Sequence, residues 1–563
     1  MSLTRAKAGM ITYKNDGTGA VVRTIKDKLG ETVSVKDFGA VGDGVTDDTA
    51  AIQAAIDSGN AVIQFPTATY ALTDELVIPS TVKIIHLNKS TLNADFAGAD
   101  YPNQKGVFQS DTAVEIHDGI FQALNTDYSL TYDYTVAAGW VSDGSIGSPT
   151  ETYTVTTRDF LCGALLEAGS KIYNCKFSNF FAAARITNTA GAPSILQEPT
   201  VIKGCQAISC GAGSSGIRPN FNVSNAANVT FTENKTYFGS ESTFPSCQNI
   251  IISNNYMFNP TTPTIDVGGS GTAGYEAKNI VIEGNYSCGR DPIVVERGCF
   301  DCVISNNVCE VTAVHPSGVG IGVTDASDSN QGIRDVVISN NVIKRYGDPT
   351  ATAKISFSIK VSTDSGATSE INNVVVSGNS GYNRSNYGVW VAGNTTNQAQ
   401  YISITNNKLI HCYQAIVLRY VTQGLVSGNN LNTTTYWGAA SCAFLLNTLS
   451  DVTIKDNSWR GTDISTYGHN YFLSLFGTLT RVEVEMPRAT LPNAGYVHSY
   501  DGGASGNIFL IAEKANMGNF TTTYLERGSQ MTFASASAGG FIGEVITTGG
   551  ASPTRKTFGP ITA

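Results

Sequence analysis

Nine stretches of this chain repeat one phrase: VTFTENKTY (229–237), IIISNNYMF (250–258), IVIEGNYSC (280–288), CVISNNVCE (302–310), VVISNNVIK (336–344), VVVSGNSGY (374–382), ISITNNKLI (402–410), GLVSGNNLN (424–432) and VTIKDNSW (452–459). Each alternates apolar with small or polar residues and then reaches an asparagine: Asn234, Asn255, Asn285, Asn307, Asn341, Asn379, Asn407, Asn429 or Asn457. The steps between them are 21, 30, 22, 34, 38, 28, 22 and 28 residues, and Cys175 and Cys205 extend the series upstream at steps of 30 and 29. Short alternating strands with a polar corner, repeated at such a period, describe a stacked solenoid, because one coil cannot bury its inward side chains alone. The corner asparagine is expected to take a left-handed backbone and to form a ladder of side-chain amide hydrogen bonds along the stack. The unequal steps then fall in outward loops, and the architecture expected is a parallel β-helix.

Composition agrees with a mostly β chain. Charged residues are 15% of 563, and 57 glycines accompany the many Asn, Ser and Thr, which suits strands joined by tight turns. A net charge of −10 without Lys/Arg runs argues against a nucleic-acid partner. The start MSLTRAKAGMITYK lacks an apolar signal core, and nothing later reaches the roughly 18 apolar residues of a membrane span, so a soluble chain outside the general secretory route is expected. Eleven cysteines lack paired metal spacing apart from Cys299 and Cys302, and read as small buried thiols in a reduced compartment. No cofactor or metal is expected.

Upstream of the repeats, TDDTAAIQAAIDSG (46–59) predicts a short helix capped by Thr46 or Asp47, with Ile52, Ala55 and Ile56 on one apolar stripe and Gly59 ending it. The first coil of a solenoid exposes core and backbone edges, so this helix is expected to cap it. VSVKDFGAVGDGVTDDTAAIQAAID (33–57), followed by AVIQFPTATYAL (61–72), resembles the opening segment of pectate-lyase-like β-helix proteins, and in particular of bacteriophage tailspikes and capsule depolymerases. The preceding GTGAVVRTIKDKLGET (17–32) resembles the neck that leads into it.

That resemblance implies an all-β, right-handed parallel β-helix with an N-terminal capping helix and a C-terminal antiparallel β domain, assembled as a homotrimer. It implies a virion protein of a phage tail, acting at the bacterial cell surface, which binds and cleaves capsule or O-antigen polysaccharide. About 30 residues precede the end of the neck. Either a head-binding domain has been removed, or the spike docks onto another tail protein through a short peptide. The expected division is a neck or virion-attachment segment at 1–32, β-helix opening and helix at 33–75, β-helix at 76–475 with an aromatic insertion near 121–160, and a terminal domain at 480–563. In that last part GNIFLIAEK, TTTYLERGSQMTF and GGFIGEVITT read as antiparallel strands, forming a trimerisation or carbohydrate-binding module.

No phosphate loop, HExxH or GxSxG motif is present, so catalytic candidates come from solenoid geometry. Counting from the corner asparagine places Asp266, Glu296 and Trp390 each 11 residues on, with Gly322 and Lys360 joining their column by strand pattern. Asp266 and Glu296 on consecutive coils are the expected acid and base or nucleophile of an endo-acting glycosidase, with one carboxyl raised by its neighbour. Asp325, Asp328 and Asp364 are second choices, and His315 a weaker base. Trp390, Tyr387 and Tyr275 are expected to stack on sugar rings, and Arg290, Arg297 and Lys360 to meet acidic sugars. The rivals are a polysaccharide lyase, with Arg, Lys or Ca²⁺ neutralising a uronate, and a non-catalytic glycan-binding adhesin.

Overall fold

The computed structural model describes residues 8–99, 104–134, 151–213, 216–217, 219–259, 263–269, 272, 274–312, 318–325, 331–345, 355–363, 369–382, 385–433, 441–461, 470–485, 495–499, 505–512, 530–533, 541–548 and 554–560. It divides into two compact units, residues 1–131 with 154–243 and residues 132–153 with 244–563. Each is a parallel β-solenoid.

In the first unit one parallel ladder runs through Val62–Gln64, Ile84–His86, Glu115–His117, Lys171–Tyr173, Thr200–Lys203 and Ala227–Thr232. A second runs through Asp43–Asp47, Thr69–Leu72, Thr91–Ala94, Ile120–Ala123, Lys176–Ser178, Gln206–Ile208 and Lys235–Tyr237. Alternate residues of these strands turn inward, as a pleat of period two requires. The core is aromatic: Phe65, Phe108, Phe121, Phe177, Phe221 and Phe231 follow one another at centroid distances of 4.7–6.3 Å.

The predicted helix occupies Thr49–Ile56 and buries Ile52, Ala55 and Ile56 completely. Its N-terminus is arranged differently from expectation. Asp48 takes the cap position but turns its carboxylate to the amides of Val41 and Gly42, at 2.5 and 3.0 Å. Asp47 accepts the Thr49 amide at 3.0 Å, whereas Thr46 donates its hydroxyl to Asp43. Gly42 has no substitute in this turn: its φ is +66°, and a Cβ would lie 2.8 Å from that of Ala68.

The second unit has three ladders, illustrated by one coil: Gln248–Ser253, then Tyr256–Asn259, then Ile265–Gly268. The next coil repeats them in parallel as Ala277–Glu283, Tyr286–Gly289 and Ile293–Glu296. Between the first and second strands lies the asparagine column. Asn255 donates its side-chain amide to Asn285 Oδ1 at 2.9 Å, and the same bond joins Asn285 to Asn307, then Asn341, Asn379, Asn407, Asn429 and Asn457 at 2.9–3.0 Å. Each Oδ1 also accepts the backbone amide of the asparagine before it. The amides of Asn285 through Asn457 reach strand carbonyls as well, such as Asn341 to Ile304 at 2.9 Å.

The left-handed backbone expected of these asparagines belongs to the residue before each. Asn254, Asn306, Asn340 and Asn406 have φ of 55–58°, Asp456 has 55°, and Gly284, Gly378 and Gly428 have 64–67°. The corner thus divides two tasks between neighbours: one residue reverses the chain, and the next turns inward to satisfy buried backbone groups. In the first unit Asn234 plays the second part, accepting the amide of Cys205 at 2.9 Å.

Of the strands expected to be antiparallel near the C-terminus, only some are. Ser505–Ala512, within GNIFLIAEK, joins Asn470–Glu485 in parallel, and Gln530–Phe533 continues in parallel upon it. Antiparallel pairing is found in Gln530–Phe533 with Phe541–Thr548, and there with Thr554–Pro560. Trp140, in the aromatic insertion, lies outside the described residues.

The ladder and the thiols of this core can each be tested. Asn341→Ala leaves the Asn307 amides without their acceptor and should cost about 3 kcal/mol, since each stranded buried group costs ~1–3. Asn340→Gly, at φ 56°, should shift the denaturation midpoint little; equal effects of the two substitutions would contradict the division of tasks. All eleven cysteines are free and buried, and burial pushes Cys162 and Cys412 up to about 11 and Cys205 and Cys210 up to about 12. A thiol pKa raised by folding stabilises fully below the unfolded value of 9.0, and the stabilisation is lost as pH rises toward 12. Native protein at pH 8 should resist a thiol reagent that titrates eleven groups after unfolding, and thermal stability should fall above about pH 9.

Candidate functional site

The outward face of the third ladder of the second unit carries most of the candidate residues. Strand register aligns Asp266, Val294, Gly322, Lys360, Trp390 and Val417 on successive coils. Four of the five residues expected in this column are there. Glu296 is not: it pairs with Gly268, and its column continues through Thr324, Ser362, Ala392 and Arg419. The expected direct neighbour of Asp266 is therefore replaced by a diagonal one.

The cause is a corner of unequal length. Five residues separate Asn259 from Ile265, but three separate Gly289 from Ile293. A shift of two residues preserves side-chain parity, so Glu296 still faces outward, one column across. One coil step of ~4.8 Å and two residues of ~3.3 Å put the backbones of Asp266 and Glu296 about 8 Å apart. Gly268 lies opposite Glu296 and presents no side chain to it. Arg297 Nε lies 3.6 Å from Glu296 Oε1, and both side chains are more than a third exposed, so the pair adds little to stability.

Trp390 stands in an aromatic group. Tyr387 stacks on Phe357 at 4.9 Å, and Trp390 meets Tyr387 and Phe357 edge-on at 4.7 and 5.5 Å. Burial raises the Tyr387 phenol above its ordinary pKa, against the opposing pull of the Arg419 guanidinium. Beside this group opens a cleft of about 370 Å³, lined among others by Lys360, Ser362, Thr363, Trp390, Asn394 and Arg419. Lys360 Nζ lies 5.3 Å from the Phe357 ring centre, and Arg419 Cζ lies 5.6 Å from that of Trp390.

The remaining candidates are dispersed. Arg290 pairs with Asp291 at 2.6 Å, and Tyr275 sits in a turn with its amide bonded to Thr272, so neither lines the cleft. Asp325 is fully buried and accepts the Gly332 amide at 3.0 Å, a loop-holding contact away from the outward face. Asp328, Asp364 and His315 lie outside the described residues. Counting missed Phe357, Arg419 and Tyr420; the alternation in IVLRY (416–420) carried the signal for Arg419, whose inward neighbour Leu418 is fully buried. Among the described residues, no group of three or more His, Cys, Asp or Glu is arranged to hold a metal ion, and no helix is long and apolar enough to cross a membrane.

Residues 32–284 match the family model described as rhamnogalacturonase A/epimerase, pectate lyase-like. The tail spike protein of an Escherichia phage is 45% identical over 58 residues, 10% of this chain and 7% of that protein. The relatives of this chain include a phage tail spike protein and capsule depolymerases. Depolymerase 1, capsule K30/K69-specific, of Klebsiella phage K5-2 is 25% identical over 200 residues, 34% of this chain and 23% of that one. Plasmin and fibronectin-binding protein A of Streptococcus pneumoniae is 30% identical over 188 residues, 32% of this chain and 22% of that one. The matches thus span less than a quarter of these relatives' lengths.

Proposed function

We propose that this chain forms the body of a phage tailspike that binds bacterial capsule or O-antigen polysaccharide and depolymerises it as an endo-glycosidase during host adsorption. The observation that carries this reading is the outward face of the third ladder, where two carboxylates and an aromatic, cation-lined cleft share one sheet. The similarity to tailspikes and capsule depolymerases supports it.

Asp266 and Glu296 act as the two carboxyl groups, one protonating the glycosidic oxygen and the other activating water. Their backbone offset of about 8 Å suits an inverting enzyme, whose carboxyls stand ~6.5–9.5 Å apart, better than a retaining one at ~5–5.5 Å. The solenoid winds right-handed and works as a homotrimer. An outward column of Ile251, Val281, Val303, Val337 and Val375, with Ile251 44% and Val303 37% exposed, offers an apolar face for a second copy. The helix at 49–56 lids the first coil. Exposed Met10, Ile11, Val21, Val22 and Leu29 suit attachment of the neck to a tail protein. A lyase is the second reading, favoured by Lys360 and Arg419, cations able to neutralise a uronate carboxylate.

Asp266→Asn and Glu296→Gln should each slow polysaccharide cleavage at least ~100-fold, the lower range for general acid–base catalysis, with unchanged thermal midpoint and glycan binding. New reducing ends of inverted anomeric configuration, followed by NMR, are expected. Unsaturated ends absorbing in the ultraviolet would replace the hydrolase reading with the lyase, and full activity in either variant would remove that residue from the mechanism. Binding without shortening of any recognised polymer would make the protein an adhesin.

A further inference from the structure

Four cations of the second unit have an acidic partner among the described residues. Arg290 pairs with Asp291, Arg297 with Glu296, Lys344 with Glu310 and Arg481 with Asp451. Among the described residues neither Lys360 nor Arg419 makes an ion pair, although the chain has 46 acidic residues against 36 Lys and Arg. Both line the cleft beside Trp390, and among the described residues that lining contains no Asp or Glu. Both are half-buried, held over aromatic rings whose faces favour a cation but do not neutralise it.

The register fixes their spacing. Lys360 pairs with Trp390 on the next coil, and Arg419 lies one coil further and one column across, beyond Ala392. Two coil steps and two residues put the cationic backbones about 12 Å apart, with the indole between them. Ala392 and Gly393 keep the wall low beside that indole, and the buried Ser362, Thr363 and Asn394 add hydroxyl and amide groups to the lining. An aromatic platform with a cation on either side fits one ligand chemistry better than a neutral sugar: a ring with an apolar face and a carboxylate at its edge.

We infer that the cleft around Trp390 is a subsite for a carboxylate-bearing sugar, the ring lying against the indole and the carboxylate engaged by Lys360 or Arg419. This rests on the polysaccharide-binding reading above and narrows its substrate to an acidic glycan. From Asp266 the subsite begins three coils along the ladder, about 14 Å, so it holds the chain away from the bond that is cut.

The test uses the full-length protein with a panel of capsular and O-antigen polysaccharides of known repeat. The polymers bound should carry a carboxylate sugar. Carbodiimide–borohydride reduction, which converts uronates to neutral hexoses, should weaken binding of the best ligand at least tenfold. Removal of pyruvate ketals by mild acid instead separates a pyruvylated sugar from a uronate as the source of the carboxylate. Lys360→Gln and Arg419→Gln should each weaken the acidic polymer about tenfold and flatten its salt dependence, yet bind the reduced polymer as the unaltered protein does. Arg419→Lys should restore part of the loss, which a structural defect would not allow. A bound neutral polymer, or an acidic one indifferent to both glutamine variants, overturns the subsite while leaving the depolymerase reading standing. Absence of binding to every polysaccharide overturns both.

Discussion

Each ladder asparagine from Asn285 to Asn429 meets three demands with one side chain. Its Oδ1 receives two N–H groups from the coil before it, and its Nδ2 serves both the next asparagine and a strand carbonyl. At a corner the chain leaves the sheet and its backbone polar groups lose their ladder partners, so a buried corner without such a side chain strands several of them. An aspartate would lack the donor, and an apolar residue would lack both functions. The amide, donor and acceptor together, is what lets a sharp corner be stacked indefinitely.

Because the ladder fixes coil stacking at this one corner, the other connections are free to vary. Coils of 22 residues share the stack with one of 38, yet the amide bonds along it stay at 2.9–3.0 Å. The extra residues fall between the strands in sequence, where loop length costs little. The outward faces of the strands inherit the same regularity, so residues more than a hundred positions apart, such as Asp266 and Trp390, come to lie in one straight column. A polymer laid along that column meets side chains at a constant spacing, and changing what it meets takes single substitutions that leave the core alone.

The same logic separates what was legible in the sequence from what was not. Inward residues report themselves through alternation, and the asparagines mark every corner of one kind, so the coils and the ladder could be read from spacing. Asp266, Gly322, Lys360 and Trp390 were placed in one column for that reason. Glu296 slipped because counting from the asparagine assumes a constant second corner, and the corner after Gly289 is two residues short of the one after Asn259. Such a slip is invisible to hydrophobic pattern, because parity is kept. The parallel attachment of Ser505–Ala512 was hidden for another reason: an alternating strand reads alike whichever direction its neighbour runs.

The charge arrangement of the outward face has its own physical logic. Half-burying a cation loses hydration, and a nearby carboxylate offsets that loss at Arg290 and Arg297. At Lys360 and Arg419 only ring faces stand in, and a ring quadrupole returns less than a carboxylate does. The two sites therefore retain an unmet demand for negative charge beside a half-buried indole, in a chain that has acidic residues in excess and, among the described residues, places none in that lining. An anionic ring meets that demand at both positions, and it leaves Asp266 and Glu296, further up the same face, without a cation of the cleft to neutralise them.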